Sequence, residues 1–238
     1  MKLDIIYRCY NAEMSRPGDR NFVPGTGRNR PAWYDKLKCL KTFINAVEHA
    51  KDITGKVIFL HDGPKGLLYD SIPSKYEIVC INQLTDGGSL TEAHSITDNL
   101  CDHIYFAEDD YLHLQNSVQV IYDGLDTFNL VTPYDHLHRY VNDDDITKGK
   151  EHIAFSEKTN CHWRTSESTC NSWATTRQLW SGVVGNLAKA FRPYDRDLFR
   201  TLYTQHNIRL WNPIPGVTTQ IDENMSPGVN WEAFNSQI

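Results

Sequence analysis

Apolar residues gather in short runs separated by polar, glycine-rich or proline-rich stretches, and their spacing alternates between continuous and helical. Leu3 to Cys9 reads as a buried strand, since a short apolar run bounded by polar residues suits a strand covered on both faces. Residues Trp33 to Lys51 place Leu37, Leu40, Phe43, Ile44 and Val47 on one face and predict a helix. Lys56 to Leu60 and Tyr76 to Ile81 read as strands, the first running into His61-Asp62-Gly63 and the second followed by the turn Asp86-Gly87-Gly88. Ser89 and Glu92 have the spacing of a capping box, which predicts a helix from Ser89 to about Leu100. His103 to Ala107 is a fourth strand, Asn116 to Phe128 a helix, and Leu130 to Pro133 a fifth strand leading to Asp135.

After Tyr140 the rhythm changes. Asn142 to Lys158 reads as a polar loop, Cys161 to Thr176 as a bent strand or hairpin, and Arg177 to Ala190 and Arg196 to Gln205 as helices. Arg209 to Trp211 is a short strand, and Pro213 to Ile238 shows little regular pattern. Strands alternating with helices predict an α/β protein with three α/β/α layers around a mixed, mostly parallel sheet. The chain has 238 residues, 40% of them hydrophobic, enough for one substantial core in a single domain over residues 1–238.

That architecture gathers Asp62, the Gly87-Gly88 turn, Glu108-Asp109-Asp110 and Asp135 on the carboxyl edge of the sheet. Ligands bind beyond that edge, and a cluster of carboxylates there suits a divalent cation that grips a diphosphate. Between Asn11 and Pro31 runs a long polar loop with four arginines; Arg28, Arg30 and Arg8 are candidates to face phosphates. The net charge of −6 argues against nucleic acid as a partner, because phosphate backbones need a concentrated basic face. Six cysteines without a C-x-x-C pair read mostly as buried thiols of a reducing compartment, with a Cys161–Cys170 disulfide left open. His136 and His138 supply only two nitrogens beside Asp135, too few for a zinc site. With no signal-peptide pattern and no run of 18 apolar residues, the expectation is a cytoplasmic protein with no integral membrane segment.

Phe106-Ala107-Glu108-Asp109-Asp110 resembles the Asp-x-Asp motif after an apolar strand in GT-A fold, nucleotide-sugar-dependent glycosyltransferases of the inverting family 2 type. Tyr194-Asp195-Arg196-Asp197-Leu198 resembles that family's Glu-Asp-x-x-Leu segment. The resemblance spans residues 3 to about 220. It implies a donor-binding and metal-binding half over about 1–135 and an acceptor-binding half over about 136–238. It also implies Mn²⁺ or Mg²⁺ held by Glu108 and Asp110, with Gln220 at the position of a metal-binding histidine. Arg8, Arg30, Asp62, Gly87, Gly88 and Asp109 would contact the donor, and Asp195, or Asp197 in the other register, would be the catalytic base. Asp135, Glu167 and Trp173 are candidates to meet a glycan or other hydroxyl acceptor, Glu167 also as a second base and Trp173 by stacking on a sugar ring. The implied reaction moves a sugar, UDP-linked by preference, to a hydroxyl with inversion. A binding module without turnover and a nucleotidyltransferase are the alternatives, the latter weakened because Gly25 to Arg30 lies far past the first strand.

Overall fold

The computed structural model describes residues 1–10, 30–100, 102–141, 150–191 and 195–238. Arg28, the acidic run 142–145 and Tyr194 lie outside them. In chain order the elements are β1 (Leu3–Tyr10), α1 (Lys36–His49), β2 (Thr54–Asp62), α2 (Leu67–Asp70), β3 (Glu77–Ile81), α3 (Asp86–Ser95), β4 (His103–Glu108) and β5 (Tyr111–His113). There follow α4 (Ser117–Phe128), β6 (Leu130–Val131), α5 (His138–Val141), β7 (Ile153–Ser156), β8 (Cys161–Ser166) and β9 (Trp173–Thr175). Helices α6 (Arg177–Leu179) and α7 (Gly185–Ala190) are joined by a π turn, Trp180–Val184, and the chain ends with α8 (Asp195–His206), β10 (Leu210–Ile214), β11 (Thr218–Gln220) and α9 (Trp231–Ser236).

Nine strands form one sheet in the order β3-β2-β1-β4-β9-β6-β10-β8-β7, and β5 pairs with β11 in a second, small sheet. Strands β1 to β4 are mutually parallel, whereas β9 runs antiparallel between β4 and β6, and β8 antiparallel between β10 and β7. Alternation along each strand separates two cores. Leu3, Ile5, Tyr7 and Cys9 of β1 and Tyr105 and Ala107 of β4 pack with Phe43 of α1 and Ile121 of α4. Ile6, Ile104 and Phe106 face the other way, onto Ala93 of α3, Trp180, and Phe199 of α8. Two apolar faces on one sheet give the α/β/α layering.

Local chemistry moves several boundaries. Asp35 caps α1, its Oδ1 accepting the Leu37 amide at 2.8 Å, so the helix starts at Lys36. The cap of α3 is Thr85, not Ser89: Thr85 is extended and its Oγ1 accepts the Gly88 amide at 3.2 Å, while Glu92 accepts from Gln83 instead of closing a capping box. Gly88 serves that cap, for a Cβ there would lie 2.7 Å from Thr85 Oγ1 and 2.9 Å from Gln83 Cβ. The expected polar loop before Lys158 contains edge strand β7, and the expected irregular tail contains β11 and α9. Trp231 fixes α9 by packing with Cys39, Leu112 and Ile221 in a third cluster. The segment 161–176 is not a hairpin, since β8 and β9 pair with different strands. Cys161 and Cys170 are not joined in a disulfide, and no helix among the described residues is long and apolar enough to cross a membrane.

Candidate functional site at the carboxyl edge

The chain lays down β1, β2 and β3 in one direction and then returns to place β4 on the other side of β1. Such a reversal opens a crevice beyond the carboxyl ends of the two central strands. A cavity of about 410 Å³ lies there, with Arg8, Asp62, Asp86 and Glu108-Asp109-Asp110 in its wall, joined by Cys170, Asn171 and Gln220 from the later part of the chain. Arg8 and Glu108 are partners in the parallel register of β1 and β4, so their side chains leave the same face of the sheet, toward α3.

Each carboxylate of the triplet meets a cation. Arg8 binds Glu108 through two parallel bonds, Nε to Oε1 at 2.9 Å and Nη2 to Oε2 at 2.7 Å. Its Nη1 reaches the Asp86 carboxylate at 2.6 Å, the Asp86 carbonyl at 2.9 Å and Ser89 Oγ at 3.1 Å. Asp109 Oδ2 accepts Lys36 Nζ and the Tyr10 amide, both at 2.7 Å. Asp110 Oδ2 accepts Arg30 Nη2 at 2.6 Å and Gln220 Nε2 at 2.9 Å. Burial opposes charge on Arg8, but Glu108 and Asp86 more than offset it and hold the guanidinium ionised. Burial likewise pushes Glu108 above the usual carboxylate range while Arg8 pulls it down. Burial, the larger effect, carries Glu108 up to about 8, whereas the two short parallel bonds from a guanidinium that stays charged, one to each carboxylate oxygen, are the geometry of an ion pair and favour the ionised form.

Of the residues that the sequence singled out, Arg8, Arg30, Asp62, Glu108, Asp109, Asp110 and Gln220 meet at this cavity. Arg8 has its donors engaged by protein oxygens instead of standing open to a phosphate. Asp62 accepts the Gln83 and Leu84 amides at 2.8 and 3.0 Å, fastening the chain that leads into α3. Gly87 and Gly88 belong to the first turn of α3 and do not line the cavity.

The expected acceptor residues and bases stand elsewhere. Asp135 is fully buried, holding Arg164 at 2.6 Å, Asn212 at 3.0 Å and the Tyr140 hydroxyl at 2.6 Å. Glu167 is clamped by Arg200 through two bonds of 2.9 Å. Trp173 is not a sugar platform: it is 1% exposed, packed against Phe106, Trp180 and Phe199, because its place on central strand β9 turns it into the core. Asp197 is exposed on α8 and outside the cavity wall. Asp195 also lies outside that wall, its Oδ2 accepting the Thr169 amide and hydroxyl, each at 2.7 Å, and the Asn171 amide at 3.3 Å.

A divalent cation needs several converging oxygen ligands. Glu108 gives both oxygens to Arg8, and Asp110 Oδ2 is shared by Arg30 and Gln220. Among the described residues no group of three His, Cys, Asp or Glu side chains converges for a metal. The donor set as arranged therefore does not fit Mn²⁺ or Mg²⁺ held by Glu108, Asp110 and Gln220.

No protein-family model matches the chain, and no curated protein matches it in sequence. Solved structures do. A mycobacterial protein is similar over 89% of this chain and 64% of its own, at 12% identity and a TM-score of 0.51. The 4-diphosphocytidyl-2C-methyl-D-erythritol synthase of Anaerococcus prevotii is similar over 89% of each chain, at 9% identity and a TM-score of 0.50. The fold is the nucleotide-diphospho-sugar transferase fold. The chain spans 49% of the bifunctional IspDF of Campylobacter jejuni, which it matches over 89% of its own length at 12% identity and a TM-score of 0.48.

Sequence reasoning missed Lys36, Asp86, Cys170 and Asn171. Lys36 follows a helix cap and carries no signal of the Asp109 contact across 73 positions. Asp86 was visible as a turn residue, and Cys170-Asn171 carries no glycine to announce its turn.

Proposed function

We propose that the chain transfers a sugar from a nucleotide-diphosphate donor to a hydroxyl acceptor at this cavity. The observation that carries the proposal is the cavity's position, at the strand-order reversal of a nucleotide-diphospho-sugar transferase fold and walled by both halves of the chain. Its volume, about 410 Å³, lies within the range of small-molecule sites. Charge favours a sugar diphosphate over a nucleoside triphosphate. Among the described residues, five carboxylates line the wall against the guanidiniums of Arg8 and Arg30 and the ammonium that Lys36 brings to Asp109, so each further negative charge on a ligand is penalised. This supports glycosyl over nucleotidyl transfer.

In the proposed reaction the acceptor oxygen bonds to the anomeric carbon while the bond from that carbon to the diphosphate oxygen breaks. The hydroxyl proton leaves to a base, and single displacement inverts the centre.

The test is a melting-temperature panel of UDP, CDP, ADP and GDP, their hexose derivatives, and UTP and CTP, with Mn²⁺ and with EDTA, followed by assay of nucleotide release. The expected result is stabilisation by a sugar nucleotide, UDP-hexose first, with release of the nucleoside diphosphate when a hydroxyl acceptor is supplied. Stabilisation by no nucleotide overturns the proposal, as does pyrophosphate release from a triphosphate. A second reading, binding without turnover, is favoured by one observation: Asp195, Glu167 and Asp135 are engaged outside the cavity. Tight binding of a sugar nucleotide with no release in any acceptor supports it instead.

A further inference from the structure

Beside the carboxyl end of β4, where β9 begins, the cavity wall includes a strained turn. Ser172 N donates to Thr169 O at 3.1 Å across Cys170 and Asn171, whose φ angles are +46° and +64°. Two successive left-handed residues make a type I′ turn, which glycine and asparagine tolerate and cysteine resists. Such a conformation persists only where its surroundings over-determine it. Here they do. Asp195 Oδ2 takes the Thr169 amide and hydroxyl and the Asn171 amide, and the fully buried Tyr111 donates its hydroxyl to the carbonyls of Thr169 at 3.0 Å and Cys170 at 3.2 Å. From below, Tyr105 OH meets Ser172 Oγ at 3.2 Å and Thr132 Oγ1 donates to Ser172 O at 2.7 Å.

What the turn carries is Asn171. Its Oδ1 is buried and has no hydrogen-bond partner among the described residues, and the residue lines the cavity. Gln220, 1% exposed, lines the same cavity and leaves its Oε1 equally unmatched, its Nε2 being spent on Asp110. A buried acceptor without a donor is unfavourable, and two in one cavity ask for a ligand that brings hydrogens. Phosphate oxygens at neutral pH bring none. A sugar hydroxyl or a nucleobase N–H does.

We propose that Asn171 is the residue through which this cavity selects its donor's sugar: its carboxamide oxygen, with that of Gln220, accepts hydrogen bonds from sugar hydroxyls, and Asp195 is the positioning residue that fastens the turn. This rests on the donor reading above. It also gives Asp195 a task other than that of a base.

The test compares dissociation constants for UMP, UDP, UDP-glucose, UDP-galactose and UDP-N-acetylglucosamine in wild type, Asn171→Gly, Asp195→Ala, and Asp195→Ala combined with Cys170→Gly. Glycine at 171 keeps the left-handed backbone and removes only the carboxamide. Asn171→Gly is expected to melt no lower than wild type, to bind UMP and UDP as wild type does, and to bind the preferred UDP-hexose about five- to tenfold more weakly, one hydrogen bond's worth. Asp195→Ala is expected to weaken the same hexose selectively, and Cys170→Gly to restore it, because glycine needs no buttress to hold φ near +46°. Unchanged hexose affinity in Asn171→Gly overturns the inference alone. An equal loss for UMP and UDP overturns it in favour of base recognition. A loss in Asp195→Ala that Cys170→Gly leaves uncorrected overturns the positioning role. Wild type that binds none of these ligands overturns both this inference and the function on which it rests.

Discussion

Replacing Arg8 with methionine removes a side chain that ties β1, β4 and α3 together at the cavity. The side chains of Arg8 and Glu108 are 9% and 14% exposed, so the pair is largely withdrawn from water. Arg8 makes two bonds to Glu108 and one each to Ser89 Oγ, the Asp86 carbonyl and the Asp86 carboxylate. Removing one partner of such a pair costs about 3–5 kcal/mol, chiefly from the charge left behind. The cavity beside Glu108 admits water, and Asp86, whose side chain is 59% exposed, rehydrates freely. Both effects place the expected loss at the lower end, about 3 kcal/mol. For a chain of this length that is a fall of roughly 6–12 °C in melting temperature. Neutralising the orphaned carboxyl should recover part of it, so Arg8→Met with Glu108→Gln is expected to sit about 1–2 kcal/mol above Arg8→Met alone. Urea titrations of the four members of this cycle, with m-values checked for constancy, read both quantities. A loss below about 1 kcal/mol in Arg8→Met, or a double variant no more stable than the single, refutes the claim that this pair carries buried charge.

Three further outcomes follow from the packing. His113 is buried, with Nε2 on the Tyr105 hydroxyl at 3.0 Å, and burial pushes its pKa down to about 3. The unfolded chain then binds a proton below about pH 6.5 that the folded chain refuses, so stability is full above that pH and falls toward pH 3 by up to about 1.4 kcal/mol per unit. His113→Gln should flatten the slope between pH 6.5 and 4, and identical slopes in urea titrations across that range would count against this. Gly124 of α4 lies under Trp163, where a Cβ would come 2.5 Å from the ring. Gly124→Ala is expected to lose about 1 kcal/mol, overpacking outweighing the helix propensity of alanine, and a melting point above wild type would show otherwise. Trp173→Ala should cost about 3–5 kcal/mol yet leave nucleotide affinity of the folded protein unchanged, which calorimetry below the melting transition can read.

Most of the sheet was legible because its strands are short apolar runs, and β1, β2, β3 and β4 need no information beyond themselves to be recognised. What could not be read is pairing across distance. Strand β7 is four residues, two of them exposed apolar side chains at an edge, and nothing within Ile153–Ser156 distinguishes it from a loop. The place of β9 between β4 and β6 is likewise settled by tertiary fit, with Trp173 filling the space between Phe106 and Phe199. Local competition decided the start of α3. Thr85 and Ser89 both offer a capping hydroxyl, and Thr85 wins because the backbone between them, through Gly87 and Gly88, can take up helix.

The acidic triplet makes the same point about chemistry. Its position at the end of β4 is written in the sequence, and so is its exposure to whatever the crevice holds. Its charge state is not, since the cations that balance it come from β1, from the first turn of α1 and from the segment before α1, 100, 73 and 80 positions away. A carboxylate cluster read alone asks for a metal; read with Arg8, Lys36 and Arg30 it is already compensated, and a ligand must meet a wall whose strongest charges are matched to one another. Recognition then falls to the neutral groups that are not matched, the carboxamides of Asn171 and Gln220. Those groups discriminate by hydrogen-bond donors and not by charge. On the proposed donor reading, the sugar, and not a phosphate, is therefore the part of the ligand that these carboxamides meet.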